Sequence, residues 1–145
     1  MIYTKLTVRA MQVAYSAHHG QNDTSGAPYI FHPFHVAELM TDEHAVCAAL
    51  LHDVVEDTDV TLADLEKEFP REVTEAVRLL THEEGADYRD YILAIKENEL
   101  ARKVKLADLA HNLDRSRIIG ICDVPTEKLA HWEKKYTLAL KLLKD

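Results

Sequence analysis

The sequence contains few residues that interrupt regular structure. Only 4 glycines and 4 prolines occur among its 145 residues, whereas collagen-like, disordered and turn-rich β proteins need many more of both. Hydrophobic residues make up 47% of the chain, which at this length is enough for one buried core and too little for two. We therefore predict one domain, residues 1–145, built mainly from long helices.

Long apolar segments and paired cysteines are also lacking. The first residues have neither the basic start nor the apolar stretch of a signal peptide, and no apolar run reaches membrane-spanning length. Cys47 and Cys122 lie far apart without a CxxC pair, which is typical of reduced structural thiols. These absences predict a cytoplasmic protein with no membrane partner. The sequence does not reveal the oligomeric state, and a monomer or a homodimer is our expectation.

Positive charge is scarce relative to negative charge. The chain has 17 basic and 25 acidic side chains and a net charge of -8. Such a surface repels a phosphate backbone, which argues against a DNA or RNA polymer as partner. A small anionic ligand is still compatible, because a metal ion and a few lysines in one cleft outweigh distant acidic groups. The nine histidines are the more unusual count.

Apolar residues follow helical spacing through most of the chain. The run at residues 45–51 is apolar on all sides, which predicts a helix buried in the middle of a bundle. Residues 20–32 contain Gly, Pro, Asn, Asp and Ser and predict a loop. No strand-like alternation persists. We predict an all-α fold, a compact bundle of about seven or eight helices.

A polar motif follows directly after the apolar run. We predict that the buried helix continues through residues 52–57. His52 then lies one turn from Glu56, and Asp53 lies one turn from both Glu56 and Asp57. Carboxylates that are buried side by side without partners are strongly unfavourable. A bound cation would resolve this conflict.

A second polar cluster occurs in an apolar setting further along the chain. Asp108, His111 and Asn112 stand at positions i, i+3 and i+4, so they share one helix face. Two imidazoles and two carboxylates suit Mn, Fe or Zn better than Ca or Mg. A site that draws on both clusters and on the histidine at the end of the loop contains His32, His52, Asp53 and Asp108. For either cluster alone, solvated helix-end carboxylates and a hydrogen-bonded core histidine are an equally good explanation.

The remaining candidate residues lack a pattern that carries chemistry. Trp132 and Tyr136 are predicted in the core, and the pair at residues 134–135 in solvent. Four histidines have no partner at metal-ligand spacing and are predicted at the surface or its boundary, namely His35, His44, His82 and His131.

Three segments, taken together, resemble a known family. They are PYIFHP at residues 28–33, LLHDVVEDT at 50–58 and KLAD at 105–108. In this order and rough spacing they resemble the hydrolase domain of RelA/SpoT-type alarmone enzymes, from near residue 14 to about residue 112. The chain has no room for the synthetase half of the long enzymes, so we expect a short, stand-alone HD-type hydrolase.

The resemblance implies a metal-dependent phosphohydrolase similar to guanosine 3′,5′-bis(diphosphate) 3′-pyrophosphohydrolases, with a small nucleotide as substrate. It implies a manganese ion, with Fe or Zn as alternatives, and an acidic pair, Glu56 and Asp57, that serves the attacking water. Tyr29, Lys105 and Asn112 match positions that line the substrate cleft. The metal ligands that it implies are the same four, His32, His52, Asp53 and Asp108.

The sequence departs from the family pattern in the loop. Asp23 and Thr24 stand where alarmone hydrolases usually carry basic residues that hold the guanine nucleotide. Loss of such a charge-pairing group weakens binding of a polyphosphate by roughly 1 to 3 kcal/mol. The base preference therefore stays open. Two alternatives also stay open: an HD phosphohydrolase acting on another nucleotide or a phosphodiester, and a non-catalytic nucleotide-sensing module.

Overall fold

Helices account for all the regular structure of the protein apart from one isolated bridge between Asn22 and Pro28. The computed structural model describes residues 1–145. The prediction of an all-α fold is confirmed. The helices are α1 (Lys5–Ala17), α2 (Phe31–Glu38), α3 (Glu43–Leu51), α4 (Val54–Asp57), α5 (Leu62–Glu66), α6 (Arg71–Leu80), α7 (Tyr88–Lys96), α8 (Glu99–Asn112) and α9 (Thr126–Lys144), with a short 3-10 turn at Arg115–Arg117.

Helix α3 forms the centre of the bundle. Its residues Ala45 to Leu51 are all buried, as the apolar run predicts. Helices α1, α2, α6 and α8 pack around it. Because α3 is covered on every side, polar groups at its C-terminal end enter an interior that water does not fill. The fold thus places His52 at a low-dielectric position, whereas Glu56 and Asp57 of the same motif are exposed.

The sequence predicts that the buried helix continues through the acidic motif, but the structure shows a break there. Helix α3 ends at Leu51, and a separate one-turn helix, α4, begins at Val54. The Nδ1 atom of His52 lies 2.5 Å from the carbonyl oxygen of Ala49, so the side chain takes an acceptor at the end of the helix. This break makes α4 a separate helix and brings the number of α-helices to nine, within one of the seven or eight predicted.

Side-chain caps set several of the helix starts. Thr61 and Asp64 form the capping box that the sequence indicates at the start of α5. Helix α9 is different: Thr126 is its first residue, Pro125 occupies the cap position and no side chain caps the helix. No helix is both long and apolar enough to cross a membrane.

Candidate metal centre and substrate cleft

The structure brings together the four residues predicted to hold a metal ion. His32 lies near the start of α2, His52 and Asp53 form the turn between α3 and α4, and Asp108 lies on α8. One ligand atom from each residue lies within 4.8 Å of the ligand atoms of the others. Three are buried, and the Asp53 side chain is 16% exposed. The group is therefore least buried on the Asp53 side.

Nitrogen and carboxylate oxygen atoms alternate within this group. The Nε2 atom of His32 lies 2.8 Å from Oδ1 of Asp108 and 3.6 Å from Oδ2 of Asp53. The Nε2 atom of His52 lies 3.1 Å from Oδ2 of Asp53 and 3.4 Å from Oδ1 of Asp108. Both imidazoles thus direct the same ring nitrogen at both carboxylates.

The hydrogen bonding of His52 shows whether these residues fit a metal ion. A carbonyl oxygen only accepts, so Nδ1 of His52 carries a proton and donates it to Ala49. Nε2 is buried without a hydrogen-bond partner, although two carboxylates face it. Burial lowers the pKa of His52, but Asp53 and Asp108 outweigh burial and raise it well above its ordinary value. The group therefore requires a positive charge, and a divalent metal ion fits it.

Asp108 is the most heavily bonded residue of the group. Its Oδ1 accepts from the Nδ2 of Asn112 at 3.1 Å as well as facing His32, and its Oδ2 lies 2.9 Å from the ammonium of Lys105. Burial raises the pKa of Asp108, but Lys105 and the histidines outweigh burial and hold it well below its ordinary value. Asp108 thus remains ionised, as a metal ligand must.

The three residues predicted to bind substrate each contact a predicted metal ligand. Lys105 and Asn112 bond to Asp108, and the Tyr29 hydroxyl donates to Oδ2 of Asp53 at 2.6 Å. All three also line a cavity beside the metal group. Outer contacts of this kind fix the orientation of metal ligands. The sequence did not indicate this second role.

Removal of the Tyr29 hydroxyl is expected to weaken metal binding. In Tyr29→Phe, Asp53 loses its donor and becomes free to rotate, so Mn²⁺ affinity should fall about 10-fold. Electron paramagnetic resonance of free Mn²⁺ measures this directly. Tyr91→Phe is the matched control, because its hydroxyl donates to the Leu80 carbonyl and not to a ligand. Equal affinities in the two variants would show that Tyr29 does not hold Asp53.

The acidic pair lies on α4, at the open side of the metal group. Oε1 of Glu56 accepts a hydrogen bond from the backbone N–H of His82 at 2.6 Å. Asp57 faces the same cavity. Partial desolvation, Asp53 and Glu56 raise the pKa of Asp57 to about 6. A carboxylate with this pKa accepts protons effectively near neutral pH.

Two cavities adjoin the metal group and share Tyr29, Asn112 and Tyr136 in their walls. The first, of about 250 Å³, is bounded by residues 21–25, Arg117 and Trp132. The second, of about 220 Å³, is bounded by the acidic pair and by Lys105 and Lys135. A ligand that passes the metal group can therefore occupy both cavities.

Helix α9 contributes to both cavities, which corrects two sequence predictions and adds to a third. Trp132 is half-buried and lines the first cavity instead of lying in the core. Tyr136 packs against the core as predicted, and it also lines both cavities. Lys135 is half-buried instead of solvent-facing, and its ammonium lies 4.6 Å from the centroid of the Tyr88 ring. Ala139 and Leu143 are the residues by which α9 enters the core. The turn of α9 before them is therefore free to face the cleft.

Asp23 is bonded within the loop and also lines the first cavity. Its Oδ1 accepts from the backbone N–H of Ser25 at 2.9 Å and of Ala27 at 3.0 Å, and from the Ser25 hydroxyl at 2.7 Å. Its Oδ2 lies 3.4 Å from Nη2 of Arg117, which comes from the segment after α8. The positive charge that the loop lacks is thus supplied by Arg117 in the same cavity.

Two histidines contact the site although the sequence indicated no role for either of them. His18 is 2% exposed, and its ring packs on Tyr29 with centroids 4.9 Å apart. His111 places Nδ1 at 2.8 Å from Nδ1 of His32. The spacing of His111 from Asp108 was the available signal, because it places both side chains on one face of α8. His35 lies at the surface as predicted, but it stacks on His111.

The sequence of the chain also matches a known protein family. The family model described as the HD domain matches residues 10–103, which is more than half of the chain. This chain belongs to the HD-domain family. Asp108 lies beyond the matched residues, so its place in the site of this HD-domain protein rests on the geometry alone.

The HD-domain chain is similar to RelA/SpoT-type proteins, which confirms the resemblance. It is 38% identical over 120 residues to the bifunctional (p)ppGpp synthase/hydrolase SpoT of Escherichia coli, covering 72% of this chain and 17% of that protein. It is 40% identical over 116 residues to the guanosine-3′,5′-bis(diphosphate) 3′-pyrophosphohydrolase of Haemophilus influenzae, covering 70% of this chain and 17% of that one. The chain thus spans 17% of the length of these relatives.

A solved structure supports the same HD-domain fold over the whole chain. It belongs to a metazoan orthologue of SpoT that hydrolyses ppGpp. The TM-score is 0.78 at 28% sequence identity, and the match covers 99% of this chain and 93% of that one. The similarity therefore includes helix α9.

Proposed function

We propose that this protein is a metal-dependent phosphohydrolase that removes pyrophosphate from a nucleoside 3′,5′-bis(diphosphate), with guanosine as the first candidate nucleoside. One observation carries the proposal: two imidazoles and two carboxylates converge beside an acidic pair, at the junction of two cavities. The relatives named guanosine-3′,5′-bis(diphosphate) 3′-pyrophosphohydrolase support the substrate class.

We assign the metal to His32, His52, Asp53 and Asp108, and we favour Mn²⁺, with Fe and Zn as alternatives. Neutral imidazole and carboxylate ligands together suit these ions. When bound, the ion would lower the pKa of water toward about 7 and offset negative charge on the phosphate oxygens. Asp57 would orient the water and take its proton, and Glu56, anchored to the His82 N–H, would fix the other side of that water.

The two cavities divide the substrate between them in this proposal. The nucleoside would lie in the first cavity, where Trp132 and Tyr136 offer aromatic surface and Arg117 offers a cation. The leaving diphosphate would lie in the second, where Lys105 and Lys135 supply positive charge. Water attacks the phosphorus on the ribose 3′ oxygen and the P–O bond to that oxygen breaks, which releases pyrophosphate. The 3′ oxygen takes up the proton that Asp57 received from the water and becomes a hydroxyl.

A panel of nucleotides tests the proposal. The purified protein with Mn²⁺ is incubated with guanosine and adenosine 3′,5′-bis(diphosphates) and with common nucleotides, while pyrophosphate and phosphate are measured. We expect pyrophosphate from at least one bis(diphosphate) and none from ordinary triphosphates. Turnover of other nucleotides alone would favour a different HD phosphohydrolase.

The base preference is the finer question, because this chain replaces the usual basic loop residues. Arg117 brings a positive charge to this cavity, but it comes from the turn after α8 and not from the loop at residues 21–25. The nucleotide base would therefore meet other side chains than it does in enzymes with a basic loop. This observation keeps the adenine compound as a second candidate. Nucleotide binding without any turnover would favour the sensing module, against which the acidic pair in the second cavity argues.

The setting of the enzyme is also proposed. We infer that residues 1–145 act as one domain in the cytoplasm, as a monomer or homodimer, with a small nucleotide as substrate and without a nucleic-acid polymer or a membrane. The net charge of -8 supports the absence of a polymer. The two free thiols, Cys47 and Cys122, support a reducing compartment.

A further inference from the structure

His32 engages a partner at each of its two ring nitrogens. Its Nε2 faces the carboxylates of the metal group, with Oδ1 of Asp108 at 2.8 Å. Its Nδ1 points away from the group and lies 2.8 Å from Nδ1 of His111. The contact joins α2 to α8, and the two histidines are 79 positions apart in the sequence. His111 is not itself one of the metal-ligating group.

The relative position of the two rings is that of a hydrogen bond in the ring plane. Their planes differ by 5°, and their centroids are 5.0 Å apart. With the two Nδ1 atoms 2.8 Å apart, this centroid separation places the rings edge to edge and not face to face. An N–H on one ring therefore points at the lone pair of the other, which is the strongest arrangement for such a bond.

Metal binding would fix the direction of this hydrogen bond. A ligating imidazole gives the lone pair of one nitrogen to the metal and carries its proton on the other. His32 uses Nε2 toward the group, so its Nδ1 carries the proton and donates. His111 must then accept at Nδ1 and carry its own proton on Nε2.

Neighbouring groups hold the His111 ring in place. The ring of His35 stacks on it with centroids 4.0 Å apart and an interplanar angle of 22°. The backbone carbonyl of His111 accepts a hydrogen bond from Nη1 of Arg117 at 3.0 Å. The acceptor that His32 meets is therefore built into the fold.

We propose that His111 is a positioning residue that holds His32 in its metal-binding tautomer and orientation. The inference rests on the metal site proposed above and adds a residue outside the ligand set. The two ligating histidines are then oriented by different means. His52 uses the backbone carbonyl of Ala49, which no substitution removes, whereas His32 depends on a side chain.

Variants at His111 test the inference through metal affinity. In His111→Leu a methyl group takes the place of Nδ1, and the Mn²⁺ affinity is expected to fall about 10- to 100-fold. In His111→Asn the amide oxygen takes that place and accepts from His32, so affinity should return most of the way to the native value. His131→Leu makes the same replacement at an exposed histidine outside the metal group and is the matched control, with native affinity expected. Electron paramagnetic resonance gives the affinities, and melting of the metal-free proteins checks their folding.

A spectroscopic measurement tests the same inference without a variant. Long-range proton–nitrogen spectra of the Zn²⁺-loaded native protein should show His32 protonated at Nδ1 and His111 protonated at Nε2. Native affinity in His111→Leu would overturn the inference and leave the metal site standing. A His32 protonated at Nε2 in the loaded protein would overturn the inference and also remove Nε2 of His32 from the metal ligands. Failure of the native protein to bind any divalent ion would overturn both.

Discussion

Asp53→Asn is expected to abolish hydrolysis, with kcat/KM at least about 10³-fold below the native value. Oδ2 of Asp53 lies 3.1 Å from Nε2 of His52 and 3.6 Å from Nε2 of His32, so it completes the donor group between the two imidazoles. The amide keeps the shape of the side chain and removes its charge. Pyrophosphate release and the metal content of the purified variant, by mass spectrometry, should be lost together.

Asp59→Asn serves as the matched control for this variant. Asp59 is exposed and lies close by in the chain, outside the metal group. The Asp59→Asn variant loses one negative charge from the same region of the chain. Its activity and its metal content should equal those of the native protein. A metal-free Asp53→Asn protein that still hydrolyses its substrate would refute the assignment of these four residues. Melting of both variants without metal shows whether a loss reflects unfolding.

The fold class was predictable because its signal is local. Helical spacing of apolar residues and the scarcity of glycine and proline recur along the whole chain. The apolar run at residues 45–51 also identified the central helix, since only a fully covered helix is apolar on every side. The helix boundary at Leu51 was missed. It depends on the bond between His52 and the Ala49 carbonyl, which apolar spacing does not report.

The candidate metal ligands were predictable to a large extent, but their surroundings were not. Residue types and order within the motifs indicated His32, His52, Asp53 and Asp108. The bond between His32 and His111 and the ion pair of Asp23 with Arg117 join positions 79 and 94 residues apart. Neither contact has a spacing signature in the chain. Only the packing of α2, α8 and the loop creates them.

Helix α9 shows the limit of pattern reasoning most clearly. An aromatic stripe normally indicates the core, and a lysine pair normally indicates solvent. Both rules fail at a cleft, where half-buried aromatic rings and lysines meet a ligand. Trp132, Lys135 and Tyr136 lie there because α9 enters the core through Ala139 and Leu143, nearer its C-terminal end. The spacing of apolar residues predicts which face of a helix is buried. It does not predict how far along the helix the core extends.

Asp57→Asn is expected to lower kcat by about 10² to 10⁴-fold while Mn²⁺ affinity stays within a few-fold of native. Asp57 is outside the metal group and faces the second cavity, where the attacked phosphorus would lie. Its pKa is raised to about 6 by partial desolvation and by Asp53 and Glu56. A base must be ionised to act, so native activity should rise with pH up to about 6 and then level off. A bound cation lowers this pKa, which moves the rise to lower pH.

Glu56→Gln is the matched comparison that separates the two carboxylates. The glutamine oxygen can still accept from the His82 N–H, so the anchor is kept and only the charge is lost. Its kcat should therefore fall much less than that of Asp57→Asn, and its activity should keep the rise with pH. The Asp57→Asn variant should lose that rise altogether, because the group that titrates is gone. If Asp57→Asn kept the native pH profile, or if Glu56→Gln alone lost it, the proton would go to Glu56 and the roles assigned to the acidic pair would be reversed.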